Sequence, residues 1–247
     1  PIPDKTAVYG KLFKRILVEQ GGYPDSSVVV TGQPAYDALY NARGDGAQTP
    51  VLRQFNIPSD RALVVLATHT HREFTLEQAR RLLQVVFDAV REMPSVQLVV
   101  KLHPADEPTV YRLVARERGV LDDIIIVKDV NLVELLRACR ILITARSTVG
   151  LEAMLFGKPV VTVNVTGEPD IMPFAESGAA LEVRNASELV EAIRQILTDD
   201  ETNRGLEESR KRFLADSLHP VDGKASRRVA ELAVALADSH VGRAAER

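Results

Sequence analysis

Tryptophan is absent from the 247 residues, aromatic side chains amount to only 5%, and Cys139 is the single cysteine. One cysteine excludes an intramolecular disulfide, and its setting LLRACRILI suits a small buried hydrophobe in a reducing compartment. No run of about eighteen apolar residues occurs, so the chain offers no membrane-spanning helix. The opening PIPDKTAVYG lacks the basic start and apolar core of a secretory signal, which makes a cytoplasmic protein the expectation. Neither sign of charge dominates: 31 lysines and arginines against 34 acidic residues leave a net charge of -3, which gives no electrostatic basis for nucleic-acid binding. Three catalytic loops are missing as well. No Gly-x-Gly-x-x-Gly follows a strand-like run, and neither the P-loop nor the Gly-x-Ser-x-Gly nucleophile elbow is present. What remains, 45% hydrophobic and 26% charged, is the composition of an ordinary globular protein, and 247 residues allow one large α/β domain or one domain plus an extension.

Short β-branched runs bounded by polar or turn residues recur along the chain: VVVT (28–31), ALVVLAT (62–68), VQLVVKLH (96–103), DIIIVKD (123–129), RILIT (140–144) and PVVTVNV (159–165). Helical periodicity separates them, most clearly in 76–93, where Leu82, Val85, Val86, Ala89 and Val90 form one stripe, and in LVELLRAC (132–139). Apolar strands alternating with amphipathic helices imply a Rossmann-like parallel sheet with helices on both faces. Residues 1–50, rich in glycine, proline and aspartate toward their end, read as a hinge or N-terminal extension, and 51–247 as the Rossmann-like domain. The stretch from ASELVEAIRQIL to RKRFLADSL and the segment GKASRRVAELAVALADSH read as two closing helices joined by HPVDG. Arg210, Lys211 and Arg212 read as a solvated helix face.

In such a sheet ligands bind beyond the carboxyl ends of the strands, which directs attention to four loops. After RILIT, Arg146, Ser147 and Thr148 fall at a helix start and offer a cation, hydroxyls and backbone amides to a phosphate. Glu152, one turn on, can accept hydrogen bonds from a ribose diol. A plain N-cap with a surface glutamate is the structural alternative. VQLVVKLH ends in Lys101 and His103, either of which can meet a diphosphate, while a histidine before proline can also simply close a turn. ATHTHREF crowds Thr68, His69, His71 and Arg72 into one loop; without further ligands at metal spacing, anion or sugar contact is the better reading there, and no metal or other cofactor is expected. Finally, Asn164, Thr166, Gly167 and Glu168 suit sugar hydroxyls, and Asp129 with Asn131 suits a ribose or base, although both segments also have the composition of turns and caps.

VVKLHP, ILITARSTVGLEAMLFGKPVV and HPVDGKASRRVAEL together resemble the C-terminal, nucleotide-sugar-binding half of GT-B-type proteins, over about residues 23 to 236. Two branches share these features. Bacterial surface-polymer glycosyltransferases, including the CDP-glycerol glycerophosphotransferases, have a Lys-Leu-His-Pro strand end. UDP-N-acetylglucosamine 2-epimerases have a Thr-x-His-Arg-x-Glu loop, approximated here by His71, Arg72 and Glu73, and an ending similar to DGKASRR. The epimerases carry Asp-Ser-Gly-Gly followed by paired glutamates, where this chain has ARSTVGLEA with Glu152 alone. The resemblance therefore implies donor binding for glycosyl or glycerophosphoryl transfer in envelope polysaccharide synthesis, with epimerisation and a non-catalytic nucleotide-sugar-binding module as alternatives. It implies His103 at the donor diphosphate as the catalytic candidate, Ser147 and Thr148 on phosphate, and Glu152 on ribose. It also implies a missing N-terminal partner domain, weak turnover by this part alone, and peripheral membrane association of the full-length protein.

Overall fold

A computed structural model describes residues 2–42, 50–68, 75–145, 147–169, 172–218 and 221–245. They group into two compact units, one of Pro1–Asp45 with Arg212–Arg247 and one of Gly46–Lys211.

The larger unit is the expected α/β sheet. Six parallel strands, β3 (Ala62–Ala67), β4 (Val96–Lys101), β5 (Ile125–Val127), β6 (Ile141–Thr144), β7 (Val160–Val163) and β8 (Leu181–Val183), lie in the order β5-β4-β3-β6-β7-β8. Their alternation divides the core. Val64, Leu66, Leu98, Val100, Ile141 and Ile143 face one layer with α4 (Leu76–Arg91), α5 (Pro108–Glu117) and α8 (Ala186–Thr198). The alternate residues Val65, Val99 and Leu142, also fully buried, face the other side, where α6 (Leu132–Ala138) and α7 (Val149–Leu155) add Leu135, Leu136 and Leu151. Strands buried on both faces explain why their sequences are unbroken apolar runs rather than alternating ones. Thr75 opens α4 with a capping box to Gln78, and Asn131 caps α6 through Glu134 N at 3.3 Å. A short α3 (Pro50–Gln54) precedes the first of these strands.

In the smaller unit, β1 (Thr6–Val8) pairs in parallel with β2 (Val28–Val30) across α1 (Lys11–Glu19), and α2 (Ala35–Asn41) follows. The final stretch forms three helices rather than two: α8 stops at Asp199, α9 (Asp200–Ser217) restarts at once, and α10 (Ala225–Ala245) groups with the first 45 residues. Asp37 accepts from Ala225 N at 3.0 Å and Ser226 N at 2.8 Å, so α10 is capped by a residue almost the whole chain away. Burial opposes ionisation of Asp37, but these backbone donors and Arg228 prevail and hold its carboxyl below the usual range. Arg228 donates to Thr31 O at 2.6 Å and makes a two-point pair with Asp222 at 2.9 and 3.0 Å. That pair holds the Asp222 carboxyl down at about 2. The DGKASRR segment thus ties the last helix to β2 and α2.

Candidate functional site

All six carboxyl ends lie on one edge of the sheet. From β3 the chain moves outward through β4 and β5, then returns to place β6 on the other side of β3 before continuing to β7 and β8. The connections diverge at β3 and β6, the switch point beyond which open α/β sheets place their ligand crevice. Thr68 follows β3 directly, and Ser147 and Thr148 follow β6. The two ends are also tied to each other, because Thr144 Oγ1 donates to Ala67 O at 3.5 Å.

On the β3–β4 side the geometry is organised by a residue that the sequence did not single out. Asp106 is fully buried. Its carboxylate accepts from Thr68 Oγ1 at 2.6 Å and from Tyr111 OH at 2.8 Å. Thr68 Oγ1 in turn accepts from His103 N at 2.8 Å, and Asp106 N donates to His103 O at 2.9 Å. Burial first, and the hydrogen bond to Asp106 second, push the Tyr111 phenol well above its ordinary range. This closed ring of bonds fixes the turn after β4 against the end of β3. His103 does not continue the strand, which ends at Lys101; its Nδ1 accepts from Ala105 N at 3.0 Å and closes a turn. Lys101 is half-buried, its ammonium donates to Leu102 O at 2.6 Å, and desolvation lowers its pKa against the opposing pull of Asp129 and Asp106. Asp129 is exposed after β5, next to the cap residue Asn131.

On the β6 side, Ser147 Oγ accepts from Val149 N at 3.2 Å, while Thr148 is exposed at the cap position of α7 and makes no side-chain cap bond. The start of α7 is fixed by packing: a Cβ on Gly150 would stand 2.8 Å from the ring of Phe174, itself fully buried. Glu152 is partly buried within α7, and desolvation pushes its carboxyl above the usual range. A raised carboxyl contributes stability that is complete in acid and is lost as pH rises through its folded pKa. Glu152→Gln is therefore expected to gain stability over the natural chain between about pH 4 and about pH 7. Urea unfolding at both values measures this, and an equal difference at both pH values would contradict it.

The loop after β7 is held by its own bonds. Asn164 Oδ1 accepts from Gly167 N at 2.9 Å and Thr166 Oγ1 at 3.2 Å, and Asn164 Nδ2 reaches Glu182 at 3.1 Å. Gly167 takes a positive φ of 74°, the left-handed conformation that such a turn requires. Thr166 is thus part of a turn. His69, His71, Arg72 and Arg146 lie outside the described residues. Among the described residues no group of three or more His, Cys, Asp or Glu is placed to hold a metal ion.

The family model for UDP-N-acetylglucosamine 2-epimerase matches residues 10–233. The chain belongs to this family. A UDP-N-acetylglucosamine 2-epimerase of Yersinia pestis is 28% identical over 187 residues, which are 72% of this chain and 48% of the relative. The chain spans about half the length of the curated relatives it matches. The structure of UDP-GlcNAc 2-epimerase from Neisseria meningitidis bound to UDP-GlcNAc aligns with a TM-score of 0.66 at 18% identity, covering 90% of this chain and 58% of that one. The wall teichoic acid polymerase TagF aligns with a TM-score of 0.68 at 17% identity, covering 97% of this chain and 59% of that one. At these identities both likenesses speak for the fold alone, an α/β parallel-sheet architecture that this chain shares with the epimerase and with the polymerase.

Family membership reverses the order that ARSTVGLEA alone suggests, because the match favours the epimerase branch over the transferase branch. The departure from the epimerase pattern still has a structural side. Ala153, which stands where the resemblance expects a second glutamate, is fully buried, so this fold has an apolar contact in place of a second carboxylate.

Proposed function

We propose that this chain is the nucleotide-sugar-binding domain of an isomerase acting on a UDP-N-acetylhexosamine, with the donor diphosphate in the crevice between the ends of β3 and β6. The observation that carries this reading is the family match across nearly the whole chain, combined with a strand order that opens its crevice at that point. Ser147 and Thr148 take phosphate oxygens, Glu152 accepts from the ribose hydroxyls, Lys101 and Arg146 neutralise the diphosphate without a metal, and His103, whose Nδ1 accepts from Ala105 N, donates to it from Nε2. His103, held by its turn, is assigned to the diphosphate as the catalytic candidate, and His69, His71, Arg72, Asp129 and Thr166 to the rim around the sugar and base.

Calorimetry with UDP, CDP, CMP and GDP is the direct test. UDP is expected to bind most tightly; nucleotide affinities no better than that of inorganic phosphate would end the proposal. Replacing Ser147 and Thr148 together by alanine should weaken UDP binding by roughly 1–3 kcal/mol, the worth of two charge-assisted hydrogen bonds, and unchanged affinity would remove that site.

Inversion at C2 requires the C2–H bond to break and re-form on the opposite face. A polypeptide containing this chain should therefore exchange that hydrogen of UDP-N-acetylglucosamine with solvent deuterium. The second reading, donor binding for glycosyl or glycerophosphoryl transfer, is favoured by the Lys-Leu-His-Pro strand end and by Glu152 standing without a second glutamate. It predicts no exchange at C2 and transfer only when an acceptor is supplied.

A further inference from the structure

The opposite edge of the sheet carries a second concentration of charge. Arg140 directly precedes β6 and Lys158 lies two residues before β7, so both stand at amino ends, a strand's length from the crevice, or roughly 13 Å for four residues at about 3.3 Å each. There a cavity of about 290 Å³ is lined by Arg140, Lys158, Arg210 and Glu207 together with backbone and apolar groups. Three cations against one carboxylate leave an excess of two positive charges, and Glu207 is already engaged by Lys211 at 2.6 Å.

Arg210 is the telling member. It is 5% exposed, although its neighbours Lys211 and Arg212 are solvent-facing. Its Nη2 donates to Gly157 O at 3.1 Å, whereas Nη1 is buried with no hydrogen-bond partner among the described residues. Buried guanidinium groups are ordinarily paired, because removing the charge from water without an acceptor is unfavourable by several kcal/mol. Lys158 adds a half-buried ammonium, which donates to Arg137 O at 2.7 Å. A concave site lined by cations attracts an anion, and Arg with Lys is the pairing that suits phosphate oxygens.

We infer that this amino-edge cavity binds a small phosphate-bearing anion, separately from the nucleotide crevice. The cavity is larger than one phosphate and near the lower end of small-ligand sites, which span about 300 to 1,000 Å³, so a phosphate monoester of a small molecule fits as well as the free ion. The anion supplies the acceptor that Arg210 otherwise lacks and offsets the local excess of charge.

The experiment uses the chain in which Ser147 and Thr148 are replaced by alanine, so that any phosphate response from the crevice is weakened. Inorganic phosphate and glucose 1-phosphate are titrated at constant ionic strength, with glucose as the neutral control, and the response is followed by calorimetry and by the melting temperature. At least one phosphate-bearing probe should bind saturably and glucose should not; the relative affinities tell free phosphate from ester. Arg210→Met, which preserves volume, should abolish the response, and Arg140→Ala, at an exposed position, should weaken it at least tenfold. Should Arg210→Met fail to fold, Arg140→Ala decides alone. Absence of saturable binding, or binding unaltered by the variants, overturns the inference, and neither result bears on UDP binding in the crevice.

Discussion

Alanine in place of Gly10 will dislodge the chain's closing segment from its first residues. The backbone at Gly10 is extended, with φ and ψ both at -173°, so any residue can adopt it; the constraint is space. A Cβ there would lie 2.0 Å from Ser217 O and 2.4 Å from the Cα of Leu218, and both obstacles are backbone atoms that no rotamer change can move. Ser217 and Leu218 are themselves buried at the end of α9, so the helix terminus has to shift as a body. Overpacking against flexible side chains is destabilising by roughly 1–3 kcal/mol, and against backbone the loss should reach or exceed the upper figure. Hydrogen exchange on Gly10→Ala should show early opening of β1, β2 and α10, with the strands of the larger unit still protected. Protection equal to that of the natural chain would show that the approach at Gly10 is not close.

Removing the carboxylate of Asp106 should have the second largest effect. Asp106→Ala strips acceptors from the hydroxyls of Thr68 and Tyr111 at once, and leaves a small void among buried groups. An abandoned buried hydroxyl is worth about 1–3 kcal/mol of destabilisation, which puts the combined loss at roughly 2–4 kcal/mol after partial relaxation. Urea denaturation measures it, and Asp106→Asn, which keeps one oxygen acceptor, should recover part of the loss. Because Thr68 also fixes His103 N, UDP affinity should fall in the alanine variant more than in asparagine, even where both are folded. A loss under about 0.5 kcal/mol would mean that the ring of bonds adds little.

These two residues illustrate what local pattern does and does not reveal. Five of the six strands of the large sheet were legible because strands buried on both faces must be continuous β-branched runs, and α4 because Leu82, Val85, Val86, Ala89 and Val90 recur at helical spacing. β1 (TAV) and β8 (LEV) are three-residue strands without the unbroken β-branched run that marked β2 and β5, and α5 begins at Pro108 with no side-chain cap. The strand-end rule brought out Thr68, Lys101, His103, Ser147 and Glu152 without reference to tertiary contacts. It was blind to Asp106, which sits in PADEP with the look of a solvent-exposed turn and acts only because Thr68 and Tyr111 converge on it. Arg210 was misjudged for a different reason. Its charged neighbours suggest water, yet helical spacing sets it on the stripe of Leu206 and Phe213, four before and three after, both buried. The association of 212–247 with the first 45 residues left no local trace, since Asp37 and Arg228 meet partners from opposite ends of the chain.

That last arrangement has a consequence for synthesis. Asp37 waits for Ala225 across 188 positions, and Thr31 waits for Arg228 across 197. At about 5–20 residues per second, β1, α1 and β2 emerge on the order of ten to forty seconds before the helix that completes their packing. Within that interval all residues of the six-stranded sheet are synthesised, so residues 62–183 can reach their final form while residues 6–30 still wait for α10.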